Sequence, residues 1–145
     1  MPDRHILILA AGKGTRMKSS RPKVLYQLAG LTLIEHVIRA SILLKATTTT
    51  VVLGHQAQLV SQVLANNTSI SCSIVHQEQQ LGTAHALLQA EPVLGNYSGT
   101  LIVLSGDAPL ISSQTLSTLV ETHEQSTAAA SVLSSVIERP YGYGR

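Results

Sequence analysis

Lys13, Arg16, Lys18, Arg21 and Lys23 fall within eleven residues, no acid interrupts them, and Gly12 and Gly14 sit among them. Residues of these types suit one ligand chemistry well. Glycine lets the main chain turn through positive φ and lets a ligand approach without a Cβ in the way. Successive N–H groups can then converge on a phosphate, while Arg grips phosphate oxygens in pairs and Lys adds a point charge. Pro22 holds the residue before it extended, which helps fix where Lys23 emerges. A nucleic-acid surface also needs cations, but here no aromatic residues are interleaved and no further basic stripe follows. The cluster therefore reads as a site for a local polyanion such as a triphosphate. On residue types alone, an ordinary glycine turn has the same letters.

Two further stretches could do chemistry. In "HQEQQLGTAHA", residues 76–86, Gln77 offers both an amide donor and an acceptor and can pair with a pyrimidine edge. Gly82 permits close backbone approach, and Thr83 can cap a helix or contact a ligand. A glutamine-rich surface turn with a capping threonine would look alike, and His85 reads as solvated or structural. In "LIVLSGDAPLI", residues 101–111, an apolar run ends in Ser105, Gly106 and Asp107. Asp107 and Glu78 are the only carboxylates in the stretches 9–23, 76–86 and 105–112. Mg²⁺ takes one or two protein carboxylates and fills its other positions with phosphate oxygens and water, so Asp107 could hold it. An Asp that only organises the turn before a helix starting at Ser112 is the alternative.

These stretches are useful only if the fold brings them together. Residues 5–10, 49–53, 70–75, 100–104 and 129–137 are apolar runs that read as buried parallel strands. Helical spacing intervenes at Leu33/Ile34–Val37/Ile38–Ser41/Ile42–Leu44, and more weakly at Ala57–Val60–Val63/Leu64, Leu87/Leu88 and Leu116–Leu119/Val120. Alternation of this kind predicts an α/β fold with a doubly wound, mostly parallel sheet. In such sheets ligands lie beyond the carboxyl ends of the strands, where strand order reverses. All three stretches follow strand ends.

The composition sets outer bounds. The 145 residues are 44% apolar, with net charge +2 and a mean hydropathy of +0.22, enough for one domain with a core. That core must be aliphatic, because there is no Phe and no Trp. No apolar run approaches the ~18 residues of a membrane span. Residues 6–11 are too short for a secretory segment and are followed by cations. The single Cys72 excludes an internal disulfide and fits a reducing, cytoplasmic setting, where it reads as a small buried hydrophobe. Two phosphate motifs fail: no glycine stands five residues before Gly12-Lys13, and Met17 occupies the third-glycine position of GxGxxG. Leu53-Gly54-His55 supplies no acid for a dinucleotide ribose, so NAD is disfavoured. There is no GxSxG, HExxH or paired cysteine.

"LAAGKGTRM" followed by "RPKVL" resembles the signature of the sugar-nucleotide pyrophosphorylases, within the MobA-like nucleotidyltransferases. Molybdopterin guanylyltransferases (LAGGxSxRM) and hexose-1-phosphate thymidylyltransferases (GGxGTRL) are less similar. QxxxLGTAHA and GDxPL resemble the uridylyltransferase half of the bifunctional N-acetylglucosamine-1-phosphate uridylyltransferases/glucosamine-1-phosphate acetyltransferases. The resemblance implies a Rossmann-like nucleotidyltransferase fold and uridylyl transfer from UTP to N-acetylglucosamine-1-phosphate, with pyrophosphate released and Mg²⁺ as cofactor. It assigns nucleotide binding to Leu9, Ala10, Ala11, Gly12, Gly14, Lys23, Gln77, Gly82, Thr83, Ser105, Gly106 and Asp107. Gln77, Gly82 and Thr83 would recognise uracil. Arg16 and Lys23 would stabilise charge in catalysis, Asp107 would hold the metal, and Gly144, in the closing "GYGR", would contact the sugar. Lys23→Ala is then expected to cost more in turnover than in UTP binding.

The resemblance covers the whole chain, residues 1–145, but only the N-terminal portion of the nucleotidyltransferase domain. Family members continue with a Glu and two Asn that bind sugar, nucleotide and metal, and with an acetyltransferase β-helix. The expectation is thus a sheet truncated at its C-terminal side, since one later strand normally inserts before the last apolar run. Such a sheet leaves an edge that self-association could cover, with nucleotide affinity retained and turnover impaired. Tyr26-Gln27 stands where the family commonly has His-Pro.

Overall fold

The computed structural model describes residues 2–14, 19–67, 71–139 and 141. Its centre is β1 (Arg4–Ala10), seven residues of which only the first and sixth are not fully buried. Burial on both faces is what its unbroken apolar sequence requires. β1 pairs in parallel with β4 (Thr48–Leu53) on one side and β6 (Thr100–Ser105) on the other, and β5 (Ser73–His76) lies outside β4. The resulting order is β5-β4-β1-β6. A separate two-stranded ribbon, β2 (Gln27–Leu28) with β3 (Leu31–Thr32), turns at Ala29-Gly30, where both residues have positive φ, +48° and +85°.

The alternation of β1 side chains sorts the helices into two layers. Ile6, Ile8 and Ala10 join Val37 and Ile38 of α1 (Leu33–Ser41), Val60 and Leu64 of α2 (Ala57–Asn67), and Leu116 and Val120 of α5 (Ser113–Glu124). Leu7 and Ala11 face the other way, with Ala86 of α3 (Thr83–Leu88), Ala90, and Leu94 of α4 (Glu91–Leu94). The chain steps outward from β1 to β4 to β5 with α1 and α2 on one face. It then returns across the sheet to β6 through α3 and α4 on the opposite face. Changing face as the direction reverses is what a single hand of crossover demands. The point of reversal is the gap between β1 and β6.

Local signals explain the helix starts. Thr32 and Glu35 form a reciprocal capping box at α1: the Thr32 hydroxyl accepts from Glu35 N–H, and Glu35 accepts from Thr32 N–H at 2.8 Å. Ser112 accepts from Thr115 N–H at 3.1 Å and caps α5. Thr83 does not cap α3: it is the first helical residue, and Gly82 holds the cap position without a side-chain bond. β5 begins at Ser73: residues 71 and 72 of the expected run carry no strand assignment, and residue 70 lies outside the described residues.

One expected strand is absent. Residues 129–137 carry no strand assignment and are exposed, Val132 by 85% and Val136 fully. Apolar content favours strand, but a strand needs a ladder partner for its N–H and C=O groups. Among the described residues β6 pairs only with β1, and nothing pairs with 129–137. The sheet therefore has four strands here, not five.

Candidate functional site

A cleft of about 900 Å³ opens at the carboxyl ends of β1 and β6, at the point where strand order reverses. The register places Leu9 opposite Ser105 on one side, and Ala10 opposite Leu53 on the other, so three loops leave the sheet side by side. Leu9, Ala10, Ala11, Gly12, Gly14, Lys23, Gln77, Gly82, Thr83, Ser105 and Asp107 all line this cleft. Gly106 does not line it but shapes its floor. Its N–H bonds to Leu9 O at 2.9 Å, and a Cβ there would stand 3.1 Å from Ala10 Cβ. Arg16 and Gly144 lie outside the described residues.

The stretch after β1 works as a unit with Lys23. Gly14 has φ +59°, and a Cβ on it would come within 2.9 Å of Lys23 Cβ. Glycine is thus needed both for the turn and for room beside the lysine. Lys23 opens a 3₁₀ turn, Lys23–Leu25, whose next two side chains, Val24 and Leu25, are buried in the larger core cluster. Leu25 N–H bonds to Pro22 O at 3.0 Å and closes the turn. The "PKVL" letters therefore anchor the backbone by two apolar plugs and leave the ammonium to reach into the cleft.

Lys23 Nζ reaches Asp107 Oδ2 at 2.7 Å, and Ser105 Oγ donates to Asp107 Oδ1 at 2.6 Å. Both charged side chains stay substantially exposed, 40% and 35%. Burial pushes the Asp107 carboxyl up, but the Lys23 and Ser105 hydrogen bonds and the Lys23 charge outweigh it, so the net direction is down. Asp107 is ionised at neutral pH and already holds one cation. Among the described residues no cluster of three or more His, Cys, Asp or Glu could cage a metal. A lone carboxylate fits Mg²⁺ only where phosphate oxygens and water complete the shell, which a nucleotide-filled cleft would provide.

The stretch after β5 closes the opposite wall. Gln77 N–H bonds to Leu53 O at 2.7 Å, tying the loop to the end of β4. Its side chain is 3% exposed, and Nε2 donates to Gly82 O at 3.1 Å, drawing the loop shut at Gly82, whose φ is +106°. Sequence reasoning missed Lys13, Val24, Gln80, Ala86, Val103 and Leu104 as lining residues. Lys13 was visible in the cation cluster. Gln80 packs where a Cβ on Gly54 would meet it at 2.8 Å, and its Oε1 is buried without a hydrogen bond among the described residues.

This arrangement of glycine turn, switch-point cleft and Lys–Asp pair can be set beside known proteins. The sequence model of the MobA-like NTP transferase domain matches residues 6–143. The chain belongs to the MobA-like NTP transferase family. Within it, the chain is 46% identical over 141 residues to the bifunctional protein GlmU of Streptococcus gordonii, covering 97% of this chain and 30% of that protein. It is 42% identical over 145 residues to the bifunctional protein GlmU of Streptococcus suis, covering 100% of this chain and 31% of that one. The chain thus spans about 30% of the length of these relatives. A UDP-glucose pyrophosphorylase from Acinetobacter baumanii superposes with TM-score 0.69 at 23% identity, over 87% of this chain and 54% of that one. That likeness is one of fold alone. No helix among the described residues is long and apolar enough to cross a membrane.

Proposed function

We propose that this chain is the nucleotide-binding portion of a uridylyltransferase, acting on UTP and N-acetylglucosamine-1-phosphate with release of pyrophosphate. The observation that carries the reading is the Lys23–Asp107 pair at the switch-point cleft, one cation and one carboxylate joined at 2.7 Å beside a glycine turn. The 42–46% identity to GlmU proteins supports the choice of substrates. The main chain around Gly12 and Gly14 holds the triphosphate. The loop from Gln77 to Thr83 reads the base, Asp107 would hold Mg²⁺, and Lys23 neutralises phosphate charge, a role that the sequence resemblance also gives Arg16. The sequence resemblance assigns Gly144 to the sugar.

The chemistry asks little covalent work of the protein. A phosphate oxygen of the sugar 1-phosphate attacks the α-phosphorus of UTP, the bond from that phosphorus to the bridging oxygen breaks, and pyrophosphate leaves with the electron pair. Catalysis is then alignment and neutralisation of charge as it builds. Bound Mg²⁺ would supply Lewis acidity to the phosphate oxygens. Before substrate arrives, Lys23 and Asp107 neutralise each other. A triphosphate draws the ammonium to itself and leaves Asp107, the group that would hold Mg²⁺, without its ion-pair partner. A half-exposed pair is worth at most about 1 kcal/mol, so this exchange is inexpensive.

Thermal unfolding of the 145-residue chain with UTP, with and without Mg²⁺, followed by a pyrophosphate-release assay with the sugar phosphate, tests the reading. The expected result is stabilisation by UTP that Mg²⁺ enlarges. No shift at millimolar UTP with Mg²⁺ contradicts it. Stabilisation without pyrophosphate release would identify a nucleotide-binding module instead.

A further inference from the structure

Gln77 is nearly inaccessible, 3% exposed, yet lines the cleft, so what it offers a ligand depends on which way its amide is turned. Its Nε2 meets two partners, Gly82 O at 3.1 Å and His85 Nδ1 at 2.9 Å. A carbonyl only accepts, so the end of the amide facing Gly82 is the NH₂. One hydrogen goes to that carbonyl and the other to His85. An amide nitrogen accepts nothing, so His85 Nδ1 must present a lone pair, and the neutral ring carries its proton on Nε2.

The other side of the ring bears on this assignment. His85 Nε2 lies 3.2 Å from Gln89 Nε2, and a neutral imidazole has one acceptor nitrogen, so two amide NH₂ groups cannot both donate to it. Gln77 is the better fixed of the two: its ring contact is shorter, and it is held by a carbonyl five residues away. Gln89 bonds only back to the carbonyl of His85 at 3.3 Å, within its own helical turn. The two ends of an amide exchange by a half-turn with little change of shape. Turning Gln89 gives up its 3.3 Å contact with His85 O and lets its oxygen accept the ring proton. Turning Gln77 would give up the shorter Gly82 and His85 contacts, so Gln77 keeps its orientation.

We propose that His85 is a positioning residue that selects the base: accepting at Nδ1, it holds the Gln77 amide so that Oε1, an acceptor, is the group offered to the cleft. The inference rests on the reading of the cleft as a nucleoside triphosphate site. His85 itself does not line the cleft. An acceptor fixed there matches a base whose pairing edge carries a ring N–H, as uracil does. It opposes the bare ring nitrogen that cytosine shows at the equivalent place. Without the acceptor on His85, only the Gly82 carbonyl at 3.1 Å opposes a half-turn of the amide, and the turned amide's NH₂ would suit cytosine as Oε1 suits uracil.

The test is titration of the 145-residue chain with UTP, CTP and inorganic tripolyphosphate, each with Mg²⁺, in the wild type, His85→Ala and His85→Gln. Tripolyphosphate has no base and reports on the phosphate half of the cleft alone. His85→Ala is expected to lower the ratio of UTP to CTP affinity about five- to tenfold while leaving tripolyphosphate affinity unchanged. His85→Gln restores an acceptor oxygen and is expected to recover most of the ratio. An unchanged ratio in His85→Ala overturns the role given to His85 and leaves the nucleotide reading standing. Parallel loss of tripolyphosphate and UTP affinity in His85→Ala also overturns it, since the residue would then only support the fold. Failure of the wild type to bind UTP or tripolyphosphate ends the nucleotide reading and the inference together.

Discussion

The two ends of the central sheet each carry an ion pair of nearly the same length. At the carboxyl end Lys23 meets Asp107 at 2.7 Å, with side chains 40% and 35% exposed. At the amino end Arg4 meets Glu124 at 2.6 Å, with side chains only 11% and 14% exposed. There the guanidinium donates twice to the carboxylate, at 2.8 and 2.6 Å, and once more to Leu44 O at 3.0 Å. That geometry ties β1, the turn after α1 and the end of α5 into one clamp. Beside it, His5 is buried between the hydroxyls of Thr48 and Thr50, at 2.6 and 3.0 Å, with Tyr97 packed edge-on. Asp3 accepts from Thr47 nearby. The amino end satisfies its polar groups internally, whereas the carboxyl end leaves a pair in reach of solvent above an open cleft. Distance does not separate a structural pair from an exchangeable one; burial and the number of further bonds do.

If the comparison is right, substitutions at the two ends fail in different assays. The largest effect is expected from Lys23→Ala, which removes a charge-assisted phosphate contact. Affinity for UTP with Mg²⁺ should fall about ten- to a hundredfold by calorimetry, and any pyrophosphate release further, while the melting temperature barely moves. A melting temperature that drops as far as the affinity does would make Lys23 part of the framework. Glu124→Gln should do the reverse. It leaves the Arg4 charge mostly buried and unmatched, at a cost of about 2 kcal/mol, or about 4–8 °C in melting temperature, with UTP affinity unchanged.

The smallest expected effect is one of pH, again confined to the amino end. Burial pushes the His5 pKa down, opposed by the charge of Asp3. The unfolded chain therefore takes up a proton that the folded chain declines. Stability is complete above the unfolded value of about 6.5 and falls as pH drops below it, by at most about 1.4 kcal/mol per unit. Asp107 and Glu124 are both shifted down, so they stay ionised across this window and add nothing to the slope. Urea midpoints at pH 7.5 and 5.5 should differ in the wild type and converge in His5→Asn. Equal slopes in the two proteins would place the acid sensitivity elsewhere.

How much of this could be read from the letters differs by element. β1, β4 and β6 were legible within a residue or two because each is a dense run of aliphatic or β-branched residues, although only β1 and β4 are buried along most of their length and β6 is partly exposed. Residues 129–137 have similar letters and no partner, and composition does not report whether an edge is available. The ribbon around Ala29-Gly30 escaped notice because two residues per strand make no periodic signal. The capping box at α1 was present in the spelling of Thr32 to Glu35 and went unread. At the cleft, Gly12, Gly14, Lys23 and Asp107 stood out because cations, glycines and a lone carboxylate followed strand ends. Gln80 and the service of His85 to Gln77 stayed hidden, because they depend on which amide atom faces which neighbour. Sequence does not carry that.

The central claim is that the carboxyl end of the sheet, and not its amino end, receives a nucleoside triphosphate. Backbone amide spectra of the ¹⁵N-labelled chain, titrated with UTP and Mg²⁺, test it residue by residue. Resonances of Gly12, Gly14, Gln77, Gly82 and Asp107 should shift together with one dissociation constant, while those of Arg4, His5 and Glu124 stay in place. Saturable shifts confined to the amino end, or to the groove between Arg21 and Gln62 beside α2, with the glycine turn unmoved, would contradict it.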